Sequence, residues 1–201
     1  SVCTIAILAV SWYYKKKGGE PVYRTLNQHY QEKFGCKVYK LSIDGGFSCP
    51  NRDGTAGTGG CIFCNETGSG DFAVCGKSIT MQLQEDKKWV EKKNKDGKYI
   101  AYFQSFTNTY APLPVLEEKF LAAIAPEYIV GLAIGTRPDC LPEETVSLLG
   151  ELNRKKPVFV ELGFQTARDD TAEAMNRCYK TIEFRSAVKK LRAGGLEVIA
   201  H

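Results

Sequence analysis

The chain has 201 residues, 43% of them hydrophobic, with 27 basic and 23 acidic side chains and a net charge of +4. This is the composition of an ordinary soluble globular protein, long enough for one domain with a sizeable core, and its mildly basic balance permits a nucleic-acid partner without demanding one. Eight cysteines without a clear secretory signal argue against a disulfide framework and for a reducing cytoplasm.

Val2–Val10 is apolar and is followed by Lys15-Lys16-Lys17. It is too short to span a bilayer, and a signal peptide would carry its charge before the apolar run. Residues 1–20 read as an N-terminal extension, with an extra strand as the alternative, and residues 21–201 as the core domain. In Tyr23–Phe34, the residues Tyr23, Leu26, Tyr30 and Phe34 recur at helical spacing and Gly35 stops the helix. His29 within it reads as a surface or packing histidine. Lys37–Ile43 alternates and reads as a strand leading into a glycine-rich loop. Thr80–Lys95 reads as a helix whose Lys87, Lys88, Lys92 and Lys93 form a solvated face, with an RNA contact as the alternative. Lys98–Phe106 is a second strand. Val115–Ala125 is a helix introduced by Pro112 and Pro114, and Tyr128–Ile134 is a third strand. Pro142–Arg154 is a helix with proline at its start, and Pro157–Leu162 is a fourth strand. Asp170–Arg177 and Thr181–Ala193 read as helices, the second stopped by Gly194-Gly195, and Leu196–Ala200 as a fifth strand before His201.

Strand and helix alternating from residue 37 onward imply parallel strands with right-handed crossovers. Polar and glycine residues cluster after each strand, where α/β barrels and open sheets place their sites. The fold class is α/β, either a βα barrel or an open parallel sheet.

The densest chemistry lies between Cys49 and Cys64, in C-P-N-R-D-G-T-A-G-T-G-G-C-I-F-C. Cys49, Cys61 and Cys64 stand in the spacing C-x11-C-x2-C, and the glycine and turn residues between them let the segment fold back so that three thiolates converge. Three soft thiolates suit an iron–sulfur cluster or zinc. A closed zinc site needs four ligands, and Cys75 can supply the fourth, so both metals stay open at this point. Cys140 and Cys178 read as buried thiols, and Cys3 and Cys36 carry no signal.

The longer string D-G-G-F-S-C-P-N-R-D-G-T, then G-G-C-I-F-C, then G-S-G-D-F-A, closely resembles the YhcC/YtqA-like family of radical S-adenosylmethionine (SAM) proteins, relatives of the elongator-type and MiaB-type enzymes. In most radical SAM enzymes the first cysteine gap is three residues, and here it is eleven. The ending C-x-aromatic-C, with Phe63, is the usual form. The resemblance covers Val22–His201 and implies a partial TIM-like (βα)6 barrel, here about five units. The chain looks truncated at its C-terminus, because the glycine-proline turn that opens a sixth unit is absent.

The resemblance implies that Cys49, Cys61 and Cys64 hold a 4Fe–4S cluster whose fourth iron binds SAM, and that reduction cleaves SAM to a 5′-deoxyadenosyl radical. It implies a reductant such as flavodoxin or ferredoxin, and kinship with the elongator-type and MiaB-type enzymes suggests a tRNA base as substrate. Phe63 is placed on the cluster or adenine side, with core filler as the alternative. Where the family has a glycine-glycine-glutamate turn, this chain has Gln104-Ser105-Phe106-Thr107-Asn108-Thr109, so Gln104, Ser105, Thr107 and Asn108 are the polar candidates for the SAM amino group, or simply turn formers. Thr136-Arg137-Pro138-Asp139 resembles the elongator T-R-P-D, with Arg137 and Asp139 either a structural ion pair or site-lining residues. Glu161-Leu162-Gly163-Phe164-Gln165-Thr166 resembles an E-L-G-x-Q-S/T stretch, which implies SAM contacts from Gln165 and, twelve residues on, Arg177. A guanidinium suits the SAM carboxylate, and Glu161 can hold that arginine, the sulfonium or the ribose. Relatives continue N-R-G-H where this chain has Asn176-Arg177-Cys178-Tyr179. His201 faces the presumed site and can contact SAM or substrate, but as the terminal residue it is expected to fray. A second cluster on Cys75, Cys140 and Cys178 lacks a spacing signature. The competing readings are a zinc-stabilised nucleic-acid or protein-binding module and a non-catalytic, cluster-binding remnant.

Overall fold

A computed structural model describes residues 24–65, 76–92 and 97–201. The chain divides into two units between Val38 and Tyr39. In the first, helix α1 (Leu26–Phe34) opens on a reciprocal cap. The Gln28 amide donates to Thr25 Oγ1 at 3.1 Å, and the Thr25 amide donates to Gln28 Oε1 at 2.7 Å. It ends at Gly35, whose φ of 71° suits a left-handed cap, as the sequence leads one to expect. Tyr23, and the expected boundary at residue 20, lie outside the described residues.

The second unit alternates strand and helix: β1 (Val38–Ile43, starting at the boundary), α2 (Ile79–Glu91), β2 (Lys98–Phe103), α3 (Leu113–Ile124), β3 (Ile129–Thr136), α4 (Glu143–Asn153), β4 (Val158–Leu162), α5 (Asp169–Ala174), α6 (Thr181–Ala193) and β5 (Glu197–Ala200). The strands form one five-stranded sheet in the order β1-β2-β3-β4-β5, with β2–β3, β3–β4 and β4–β5 all parallel. Consecutive parallel strands joined by helices make the α/β, partial TIM-like arrangement the sequence implies.

The ladder fixes which residues share a face. Leu132 pairs with Val158 and Ile134 with Val160, and these four are buried with Leu41, Ile43, Ala101 and Phe103 in the core that the helices cover. Phe103 and Phe120 meet edge to face at 5.1 Å. The alternate residues form the other face. Gly135 pairs with Glu161, and Glu161 with Ile199. On that face the period-2 alternation of β1 places Lys40 and Ser42, opposite to Leu41 and Ile43.

Helix α2 ends at Glu91, and residues 93–95 of the expected Thr80–Lys95 lie outside the described residues. Strand β2 and helix α5 also end earlier than expected. Strand β2 stops at Phe103 rather than Phe106, because the Asn108 amide takes the Phe103 carbonyl at 3.1 Å and Phe106 turns to a φ of 61°. Helix α5 stops at Ala174 rather than Arg177, because Asn176 and Cys178 adopt φ values of 52° and 61°. Strand β3 runs two residues further than expected, to Thr136, where its hydroxyl meets Thr109 Oγ1 at 2.6 Å. Among the described residues no helix is long and apolar enough to cross a membrane.

Candidate functional site

The cysteine loop leaves the C-terminal end of β1 and folds over the end of β2, where the Thr107 amide donates to the Ser48 carbonyl at 3.2 Å. A turn follows Cys49, whose carbonyl receives the Arg52 and Asp53 amides at 2.8 and 3.3 Å. A second turn joins Cys61 to Cys64, with the Cys64 amide donating to the Cys61 carbonyl at 2.9 Å. Between them Gly59 and Gly60 take φ values of 75° and 77°, left-handed geometry that glycine adopts without strain.

Two asparagines lock this loop to the turn after α5. Asn51 is fully buried; its Nδ2 donates to the Asn176 carbonyl at 2.5 Å and lies 3.3 Å from Cys61 Sγ. Asn176 answers by donating to the carbonyls of Thr58 and Gly60 at 3.0 and 2.8 Å. The Ile62 amide adds a bond to the Met175 carbonyl at 3.1 Å. Residues 49–64 and 175–178 are therefore one unit, although more than a hundred residues separate them. Sequence reasoning missed both asparagines: Asn51 reads only as a turn residue and Asn176 only as the neighbour of Arg177. The signal available was an asparagine before an arginine at a helix end, a residue type that tolerates left-handed backbone.

The three thiols of Cys49, Cys61 and Cys64 are half-buried and unpaired. Burial pushes the Cys61 thiol above its ordinary value, and the nearby charges of Cys49 and Cys64 push it the same way, while Asn51 and Arg137 oppose the rise. The Cys61 sulfur thus lies within reach of the charges of both others. As placed, no group of three or more His, Cys, Asp or Glu among the described residues is close enough to hold a metal ion. The donor set fits a thiolate-held cluster in kind: three soft ligands on one loop, an N–H aimed at one sulfur and an arginine charge alongside. Cys75, the zinc alternative's fourth ligand, lies outside the described residues.

The remaining candidates divide into three groups. Ser105, Thr107 and Asn108 are buried after β2. Asn108 spends its amide N–H groups on the Phe103 and Gly135 carbonyls, at 3.1 and 2.8 Å, which makes it a staple between β2 and β3. Its buried Oδ1 has no partner among the described residues. Gln104 lies on the sheet's other face, within 3.4 Å of Ser42 Oγ.

Arg137 and Arg177 form the second group. Arg137 makes a two-point pair with Asp139, at 2.9 and 2.7 Å, and donates a third bond to the Arg177 carbonyl at 3.1 Å. Burial opposes its charge, but Asp139 outweighs burial and holds it above the usual guanidinium range. Of the two roles expected for this pair, the ion pair is present. Arg177 is fully buried and donates to the carbonyls of Phe164, Thr166 and Tyr179. Its guanidinium therefore holds the β4–α5 loop, and its Nη2 lies 4.0 Å from Asp169 Oδ1. Tyr179, which stands where relatives carry histidine, lies 4.8 Å from Arg137 and 4.5 Å from Arg177. Its hydroxyl donates to the Gly163 carbonyl at 2.8 Å. A Cβ at Gly163 would come within 2.9 Å of both Tyr179 Oη and Gln165 Nε2, so these two side-chain ends close over its backbone. Gln165 is exposed, with a φ of 54°.

The third group lines the sheet face opposite the helices. Glu161, its side chain 1% exposed, contacts Lys40 of β1 and lies 2.8 Å from His201 Nε2. Lys40 Nζ also sits 4.1 Å above the Tyr102 ring. Burial raises the Glu161 carboxyl, but His201 and Lys40 together hold it below its ordinary value. His201 is not frayed. Its amide donates to the Leu162 carbonyl at 2.9 Å, and its own oxygen receives the Phe164 and Gln165 amides at 2.7 and 2.6 Å. Lys40 carried no signal, because one lysine in an alternating strand reads as an outward residue.

Phe63 is 47% exposed, which excludes core filler. Cys178 is exposed rather than buried, with its Sγ beside Gly57 and 3.4 Å from Asn176 Oδ1. Cys140 is buried, and burial with the adjacent Asp139 pushes its thiol up to about 12. A cavity of about 950 Å³ lies between the start of the cysteine loop, the β2–α3 and β3–α4 loops and α6. Asp139 and Cys140 line it, whereas Cys49, Cys61, Cys64 and the residues expected to meet SAM do not.

The model of the radical SAM superfamily matches residues 53–201. The chain is 50% identical over 183 residues to the uncharacterized protein YtqA of Bacillus subtilis, covering 90% of this chain and 57% of that protein. It is 42% identical over 170 residues to protein YhcC of Escherichia coli, covering 84% and 54%. It is 34% identical over 175 residues to the uncharacterized protein MJ0486 of Methanocaldococcus jannaschii, covering 85% and 53%. The chain therefore spans a little over half the length of these relatives.

Proposed function

From the premise that this chain belongs to the radical SAM superfamily, we propose that it is the core of a radical SAM enzyme in which Cys49, Cys61 and Cys64 hold a 4Fe–4S cluster. The observation that carries the reading is the cysteine loop itself: three thiols on one glycine-rich segment, clasped to the β4–α5 side of the sheet by Asn51 and Asn176. When bound, cluster and SAM together supply a one-electron cleavage of SAM that gives a 5′-deoxyadenosyl radical able to take hydrogen from substrate.

The chain's own residues do the rest. Asn51 and the two turns aim the sulfurs. Arg137, fixed by Asp139, offsets their negative charge. Gln165, exposed at the rim of β4, would meet SAM. Glu161, clamped by Lys40 and His201, gives the sheet face a charged floor against which SAM and substrate lie. Arg177 acts by holding the Gln165 loop in shape. A base of a tRNA is the substrate we propose, on the kinship with elongator-type and MiaB-type enzymes and the net charge of +4. Flavodoxin or ferredoxin is the electron donor and the reducing cytoplasm the setting.

The test is anaerobic reconstitution with iron and sulfide, then absorption spectroscopy and a dithionite-plus-SAM assay for 5′-deoxyadenosine. A brown protein that makes 5′-deoxyadenosine, with colour and product both lost in Cys61→Ala, is the expected result. A colourless protein that retains zinc overturns it in favour of a zinc-stabilised binding module. A brown protein without product overturns the activity of this chain and leaves a cluster-binding remnant. For the substrate, tRNA affinity should fall with salt as counterion release requires; no salt-dependent binding removes the tRNA assignment.

A further inference from the structure

We propose that Asn51 sets the electron affinity of the cluster through a side-chain N–H donated to Cys61 Sγ. This rests on the reading that Cys61 is a cluster ligand. The geometry that carries it is local and over-determined. Asn51 is fully buried, its Nδ2 lies 3.3 Å from Cys61 Sγ, and its second N–H goes to the Asn176 carbonyl at 2.5 Å. Its own carbonyl receives the Gly60 amide at 2.8 Å, one residue before Cys61. The orientation of the amide is fixed by chemistry. Reversed, it would set Oδ1 against a sulfur and a carbonyl, acceptor against acceptors. On the other side Oδ1 faces Gly57, where a Cβ would collide with it. That oxygen has no hydrogen-bond partner among the described residues. The arrangement forgoes one acceptor bond while directing both N–H groups to partners.

A donor held against a cysteine sulfur stabilises it in proportion to the negative charge on that sulfur. A cluster that has gained an electron is stabilised more than one that has not, so the bond raises the reduction potential. Asn51 is therefore a positioning residue for the metal group, with a consequence read as a potential. Arg137 is held elsewhere, with three of its N–H groups on Asp139 and the Arg177 carbonyl.

The experiment is an EPR-monitored redox titration of the reconstituted protein and three variants. Asn51→Leu keeps the bulk and removes the donor. Poised at the parental midpoint, its ratio of reduced to oxidised cluster should fall about tenfold, equivalent to a midpoint about 59 mV lower for a one-electron couple. Asn51→Ser, polar but too short to reach the sulfur, should shift the same way and serves if the leucine variant does not fold. Asn176→Gly keeps the left-handed backbone and the carbonyl that receives Asn51, but deletes the bonds to Thr58 and Gly60. It should lower thermal stability and leave the midpoint unchanged. A parental midpoint in both Asn51 variants overturns the proposal, as does an equal shift in Asn176→Gly. A parent protein that forms no cluster overturns the underlying reading along with it, an outcome distinct from a brown parent whose midpoint ignores Asn51.

Discussion

The two sides of the site hold their polar groups in opposite ways. The cysteine loop is held by neutral hydrogen bonds between side-chain amides and backbone carbonyls, chiefly from Asn51 and Asn176. The sheet face is held by charge, with Lys40 and His201 converging on Glu161. A neutral clasp depends on geometry and is indifferent to pH, whereas a buried ion line depends on every partner keeping its charge. On the proposed function the difference would suit two tasks, aiming sulfurs in the loop and keeping a fixed field on the sheet face.

The comparison can be broken most sharply at Glu161. Glu161→Gln leaves Lys40 beside a neutral group in a mostly buried setting, a loss of about 3 kcal/mol, which thermal melting should register as a drop of roughly 10 °C. A melt within a degree or two of the parent would show that Lys40 simply swings to solvent. Next in size is Asn176→Ala, which strands the Thr58 and Gly60 carbonyls and forces alanine into left-handed backbone at a φ of 52°, for about 2 kcal/mol. Hydrogen exchange should quicken at Gly60 and Ile62 and stay unchanged in β3.

A smaller effect separates the two sides by pH. The Glu161 carboxyl is lowered in the folded chain. Its stabilisation is thus complete above the unfolded glutamate value of about 4.3 and is lost as pH falls through the lower folded value. Acid unfolding of the parent should steepen below about pH 4.3, and Glu161→Gln should flatten that limb while Asn176→Ala keeps it. The smallest effect belongs to Arg168→Ala. Its ion pair with Asp170 is exposed, at 75% and 65% for the two side chains, so solvent screens it and its loss should leave the melting curve on top of the parent's.

Much of the sheet was legible because glycine and proline punctuate it: Gly35 stops α1, Pro112 and Pro142 precede α3 and α4, and Gly194-Gly195 ends α6. The cysteine spacing was legible as a loop for the same reason. What the sequence hid is set by long-range pairing. Lys40 and Glu161 are 121 positions apart, and nothing local to either marks the other. Arg177 reads as a carboxylate binder because its residue type suits one, and its neighbours are hidden from the sequence. Only the fold shows that the carbonyls of Phe164, Thr166 and Tyr179 surround it first. The early ends of β2 and α5 were hidden by residues other than glycine, Phe106, Asn176 and Cys178, in left-handed backbone. Such turns are imposed by tertiary bonds rather than by propensity.

The contact between Lys40 and Glu161 has a mechanical side. It joins the first strand of the sheet to the fourth, with two strands lying between them in the sheet order. Side chains standing off one face can meet across two intervening strands only if the sheet bends toward that face, so the pair is a strut across an arc. Its length is that of one lysine and one glutamate. Shortening either partner should tighten the arc or break the strut. The gap between the ends of β1 and β4, which flank whatever lies above the floor, would then change with a single methylene.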